Sequence, residues 1–493
     1  MKQLKSLLTR LLIAILVIST GFILICIFSS EGALFKMNCA LLATNIAALY
    51  PLIFFSRSKN FQLIDPIFLI VLFFAWNYVW CPLYFINSDF YDINGRKTIN
   101  AITYENEGLI WVFFWSIVLF YVGYLLANKI FKVKNIDLYD IKNKISNRSV
   151  VLTTNIYLFL IIFKTFSYAT GIVGSAGGNN YDAGLLSLFF AFTRQTVLLY
   201  VVIVYFYFKK RISRNQLLFF TVLEFFVIFI SGDRRNIFFY IACYAIMYIY
   251  YYKHVDIKKL AFYSVLFVAI VWPILNIGND LANLVGSMDE KNLSLDLVID
   301  YLTGNTHIDL SDNKSTETSG VLRLLFGSAV FDEALLSYDD FYLQGRLLGP
   351  VGLLNLFYNI LPSFIIPHQD FNYVFLYLQQ TLYGTTSEDV RVTIALDLIS
   401  EMILSYGLYG VLFIGIYGFI YRWLYFFFIT NRYLFYRFFF VGLYYSFTLN
   451  FWTNTIIGDT MLFYKMLLVF FVIYLLLKWK NRKNNIVKQQ ISI

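Results

Sequence analysis

Long apolar stretches recur along this chain, each closed by a short polar connection. Candidate spans fall near 11–28, 38–55, 64–86, 108–127, 150–168, 186–208, 216–231, 236–252, 260–277, 407–428, 434–450 and 461–477. As helices, each is long enough to cross a hydrocarbon core of roughly 30 Å, some only with tilt or local thinning. The pattern predicts an all-α polytopic membrane protein of about twelve transmembrane helices. Three regions follow. Residues 1–277 form a nine-helix N-terminal part, 278–406 a large extracytoplasmic loop, and 407–493 a three-helix part with a basic cytoplasmic tail.

Charge sorts with this pattern. One set of connections is basic, carrying among others Lys2, Lys5 and Arg10, Arg57 and Lys59, Lys129 to Arg148, Lys209 to Arg214, Lys253 to Lys259, Arg432 and Arg437, and Lys478 to Lys488. The alternate set is mostly acidic, with Asp89, Asp92, Glu105, Glu107, Asp182 and then the long stretch 278–406. Basic loops stay on the cytoplasmic side, so both termini are expected inside and the long stretch outside.

Composition narrows the class without changing it. Hydrophobic residues make up 59% and charged residues only 14%, and the mean hydropathy is +0.66. A formal charge of +9 spread over short inner loops orients helices against anionic lipid and does not point to nucleic acid. The first apolar segment runs into Ser29-Ser30-Glu31 with no small-x-small cleavage site, and reads as a retained helix. Cys26, Cys39, Cys81 and Cys243 all fall in spans with no Cys-x-x-Cys pattern, so neither a disulfide framework nor a thiolate metal site is expected.

The stretch 278–406 opens acidic (Asp289, Glu290, Asp296, Asp300) and passes a polar run near 304–320. Leu347 to Pro367 is apolar again. A crossing there would put Arg432 and Arg437 outside, and Gly349, Pro350, Gly352, Pro362 and Pro367 interrupt it, so it reads as a re-entrant or interfacial helix pair. From Arg391 onward, Ile394, Leu398, Ile399, Met402 and Ile403 give one apolar face, while Asp397 and Glu401 share a polar one. That helix is expected on the outer surface, leading through Gly407 into the tenth span. The glycine-rich Gly171 to Gly184 lacks a phosphate-loop lysine and reads as an external loop.

Ionisable groups inside spans cost at least ~2.5–3.5 kcal/mol at mid-bilayer, so each calls for a reason. Arg194 and Glu224 lie at matched depths, roughly 10–12 Å from the outer ends of consecutive helices. They read as a structural ion pair, or as an anion site in which Arg194 faces an outward cavity. Lys164 and Lys465, near outer ends, are expected to snorkel to the interface. The outer turn Ser231-Gly232-Asp233-Arg234-Arg235-Asn236 breaks the rule that keeps basic residues inside. Paired guanidinium forks suit bidentate phosphate contacts, with Asp233 and outer-leaflet phosphates as the plainer partners. Arg323, Arg346 and Arg391 add arginines to the acidic outer stretch. Each alone reads as a salt bridge, and together they favour a diphosphate- or sugar-binding surface. His368, after Pro362 to Pro367, has the right chemistry for a general base. No spacing of His, Asp or Glu suggests a metal site.

The chain resembles the Wzy-type oligosaccharide repeat-unit polymerases, which make O-antigen and capsule. The resemblance rests on Ser231-Gly232-Asp233-Arg234-Arg235, on Leu361 to Pro367, and on Ser400-Glu401-Met402-Ile403-Leu404-Ser405-Tyr406-Gly407 running to Gly410. Arg391 with Gly407 sixteen positions on fits one arginine–glycine spacing of the family; no glycine stands eleven positions after Arg234, Arg323 or Arg346. The resemblance implies a GT-C-like, metal-independent glycosyltransferase without cofactor, acting on undecaprenyl-diphosphate-linked repeat units at the outer face of the bacterial cytoplasmic membrane. It implies His368, Glu401 or Asp233 as the base, and Arg194, Arg234, Arg235, Arg323, Arg346 and Arg391 as candidates for the diphosphate. A flippase and a chain-length regulator are the implied protein partners. A lipid-linked oligosaccharide flippase or transporter, and an O-antigen ligase-like transferase, are the competing readings.

Overall fold

A computed structural model describes residues 2–57, 65, 67–87, 107–131, 147–169, 196–231, 244, 334–335, 337–347, 349, 397–430, 471 and 475. Those residues are helical apart from short turns and connections, with no strand among them. The helices are α1 (Lys2–Ser29), α2 (Gly32–Arg57), α3 (Ile67–Ala75), α4 (Cys81–Asn87), α5 (Glu107–Ile130), α6 (Asn147–Ala169), α7 (Thr196–Phe208), α8 (Arg214–Ser231), α9 (Leu398–Tyr406) and α10 (Gly410–Thr430). Among the described residues, five helical runs are long and apolar enough to cross a membrane: Ser6–Ser29, Gly32–Arg57, Glu107–Ile130, Asn147–Phe166 and Leu398–Phe427. The spans expected at 236–252, 260–277, 434–450 and 461–477 lie almost wholly outside the described residues, as does most of 278–406.

The helices are inverted relative to those of a water-soluble domain. Ile18, Phe28 and Phe54 face outward at 68%, 87% and 73% exposure, while Asn38, Thr44 and Asn45 are fully buried. Apolar surface turned outward and amides turned inward suit a helix whose solvent is lipid. The inward polar groups stitch neighbours together. Thr9 and Ser56 share a hydrogen bond of 2.8 Å, and Asn45 donates to Ser19 at 2.9 Å. Position rises on α1 as it falls on α2, so these two run antiparallel.

The third expected span is made of three pieces. Between α3 and α4 lies a π-helical turn, Trp76–Trp80, in which the Cys81 N–H reaches back to the Trp76 carbonyl. Pro82 follows directly and has no N–H to give to Tyr78. The widened turn absorbs that missing bond without breaking the span. Asn38 and Asn87 exchange two amide hydrogen bonds of 3.0 Å, fixing the top of α4 to the start of α2.

α5 and α10 form the closest pair. Gly415 faces the Leu119 carbonyl, Gly418 lies on the Phe120 backbone, Gly123 meets Gly415, and Phe131 packs its ring on Phe426 at 6.0 Å. A side chain at Gly123 or Gly418 would strike the opposite backbone, so these glycines set the spacing. Numbers rise together on both helices, so α5 and α10 are parallel. If both cross the bilayer, an odd number of crossings separates them. The five expected between 150 and 277 satisfy this; one more in Leu347–Pro367 would not.

Candidate functional site

The described parts of the stretch 278–406 fold into the helix bundle. α9 starts at Asp397, whose carboxylate accepts from the Ser400 N–H at 2.8 Å and the Ser400 hydroxyl at 2.7 Å, a side-chain cap for the first turn. Tyr78, on the π turn, donates its hydroxyl to the same carboxylate at 2.9 Å. Tyr78 stands eleven residues beyond Ile67, so by helical rise α9 begins about 17 Å up the third expected span, well below Asn87. Every residue from Leu398 to Ser405 is buried. The expectation of a surface helix with a solvated Asp397–Glu401 face is therefore wrong. Asp397 is spent on capping and on Tyr78, and Glu401 is only 5% exposed. The segment Leu347–Pro367, expected as a re-entrant or interfacial helix pair, lies almost wholly outside the described residues.

A sharp elbow turns α9 into α10. Gly407 has φ +60° and ψ −140°, a conformation open to glycine, and the Tyr342 ring lies against its Cα. Tyr342 belongs to a π-helical segment, Ser337–Leu343. Tyr338 of that segment caps the top of α5, its hydroxyl lying over Gly108. The segment closes with Gly345 at φ +69°, where Gly345 N–H bonds to Tyr342 and Arg346 N–H to Phe341. The chain then returns over α9, with Gly349 N–H on the Ser405 carbonyl at 2.9 Å. A buried carboxylate, Glu401, and an exposed guanidinium, Arg346, thus sit on elements that pack directly together.

Of the other expected site residues, Arg194, Asp233, Arg234, Arg235, Arg323, His368 and Arg391 lie outside the described residues. Glu224 is fully buried and accepts a 2.6 Å hydrogen bond from Tyr157, tying α8 to α6. Lys164 is 5% exposed, so it is buried in the protein instead of snorkelling to the interface.

The strongest electrostatic feature escaped the sequence reading. Arg422 of α10 donates Nη1 to Asp65 at 2.7 Å and to the Tyr124 hydroxyl at 2.7 Å, and Nη2 to Asn128 at 2.7 Å. Tyr124 in turn donates to Asp65, which also accepts from the Ile67 N–H and so starts α3. The rings of Tyr124 and Tyr425 face the guanidinium carbon at 4.9 and 5.0 Å. Both charged side chains are 4% exposed. A signal was present: Asp65 opens one predicted span and Arg422 lies inside another, each near its inner end.

Comparison with protein-family models, curated proteins and solved structures finds no match to this chain.

Proposed function

We propose that this protein is a membrane glycosyltransferase that polymerises undecaprenyl-diphosphate-linked sugar repeat units at the outer face of the bacterial cytoplasmic membrane. One observation carries the reading: the described parts of the stretch 278–406 are docked into the helix bundle, with buried Glu401 on α9 and exposed Arg346 on the turn packed against it. Transfer of a glycan from a lipid diphosphate needs two things from the protein. The leaving diphosphate gathers negative charge, which preorganised guanidinium groups stabilise. The incoming hydroxyl must lose a proton to a positioned base. Glu401 is a carboxylate withdrawn from bulk water on a helix anchored by Asp397, Tyr78 and the Gly407 elbow. Arg346, with Arg234, Arg235 and Arg391 of the sequence reading, supplies the cation side.

The test is the glycan profile of cells carrying Glu401→Gln, Arg346→Ala or Arg234→Ala in place of the wild-type chain. Single-repeat glycans with no ladder, and normal membrane levels of each variant, are expected. Loss of all surface repeat units would favour the flippase reading. Wild-type chain lengths in all three variants would end the proposal.

A further inference from the structure

The turn between α7 and α8 shares no residue with that site and has chemistry that the proposed reaction does not use. We infer that it is a binding site for a phosphate-bearing anion. A cleft of about 400 Å³ opens there, lined by Tyr207, Phe208, Lys210, Arg211, Ile212 and Ser213. Lys210 and Arg211 are exposed, no acidic residue among the described residues lines the cleft, and two aromatic side chains form its apolar wall. Arg211 is held in place by Asn147 at the start of α6, whose Oδ1 accepts from Nη1 at 2.8 Å. That leaves the guanidinium's other donors for a ligand.

The backbone adds a second, independent argument. α7 closes with Lys210 N–H on Tyr207 and Arg211 N–H on Phe206, both at 2.8 Å, the same pattern that Gly345 completes in the outer segment. The residue at this position takes a left-handed conformation, here φ 55°. Glycine fills it most often because a Cβ is strained there. Lys210 is the one positive-φ residue other than glycine among the described residues. That backbone fixes the direction in which the Lys210 side chain leaves the turn, and Lys210 lines the cleft. Lys209 is turned away over the Tyr205 ring at 5.9 Å and leaves the cleft to Lys210 and Arg211.

The charge pattern of the sequence puts this turn on the cytoplasmic side, where a phosphate can come from an anionic phospholipid headgroup or from a soluble phosphate compound. The apolar wall of Tyr207 and Phe208 suits the lipid, and the experiment separates the two sources. Full-length protein in detergent would be titrated with phosphatidylglycerol and, separately, with inorganic phosphate, and bound species counted by native mass spectrometry. One phosphatidylglycerol per chain is expected to bind with at least tenfold higher affinity to wild type than to Lys210→Gly or Arg211→Gln. Lys210→Gly is informative because it removes the charge while suiting the backbone, so lost binding is not lost folding. Lys129→Gln removes an exposed charge elsewhere on the same side and should change affinity less than twofold. Inorganic phosphate that binds with the same dependence on Lys210 and Arg211, with no lipid retained, assigns the site to a soluble phosphate. Equal binding by wild type, Lys210→Gly and Arg211→Gln, or an equal loss in Lys129→Gln, overturns the site.

Discussion

Replacing Arg422 by methionine is the sharpest test of how the bundle is held. The substitution keeps apolar bulk in α10 but deletes the only cation bonded to Asp65 among the described residues, together with the hydrogen bonds to Tyr124 and Asn128. Asp65 stays buried, with Tyr124 and the Ile67 N–H as its remaining donors. Breaking one partner of a buried pair typically costs about 3–5 kcal/mol. Arg422→Met belongs near the lower end, since Asp65 keeps the Tyr124 hydroxyl and the Ile67 N–H as donors. Asp65→Leu belongs near the upper end, because a stranded guanidinium cannot release a proton. The double variant removes both charges and should cost far less than the sum, about 1 kcal/mol, chiefly for the lost cap on α3. Denaturant unfolding of the purified protein in bicelles, followed by helicity, measures all four corners of this cycle. A coupling of at least about 3 kcal/mol is expected. A coupling under about 0.5 kcal/mol, the value for exposed pairs, would refute the reasoning.

Gly123→Val should push α5 from α10 and lower stability by at least about 1–3 kcal/mol, whereas Gly21→Ala, with open space around its Cα, should be neutral or gain up to about 1 kcal/mol in the same assay. Asp397→Ala removes the cap of α9 and should cost about 0.5–2 kcal/mol, and Tyr78→Phe, which leaves the cap in place, about 0.5–1.5 kcal/mol; if both are silent, α9 is not anchored as described. Lys210→Gly should raise stability by up to about 1 kcal/mol, because glycine relieves the left-handed strain at φ 55°, and a loss of stability would contradict the turn geometry.

Two readings of single residues went astray for one reason. Asp397 and Glu401 stand four apart on a helix with one apolar face, a pattern that usually marks a solvated surface. It became a buried helix because Tyr78, 319 residues earlier, meets the Asp397 carboxylate and the chain at 337–349 covers the other side. Lys164 likewise was read from its distance to a helix end, while its burial depends on which helices surround it. Within the described residues, most of the long helices were legible to within a few residues; α1 and α2 begin nine and six residues before the expected bounds, and the π-helical segment Ser337–Leu343 was not foreseen.

That difference has a physical basis. Whether a segment crosses a bilayer depends on its own length, its own apolar side chains and the charges flanking it, all of which lie along a line. The sequence by itself therefore determined the all-helical membrane class and the approximate positions of the long described helices. Which groups meet is set by packing between distant helices. Arg422 finds Asp65 across 357 residues, and Gly123 finds Gly415 because two parallel helices approach until backbone touches backbone. Only the tertiary structure decided these pairings, the depth of α9 and the fate of its carboxylates, because the low-dielectric interior punishes any buried charge that its neighbours fail to match.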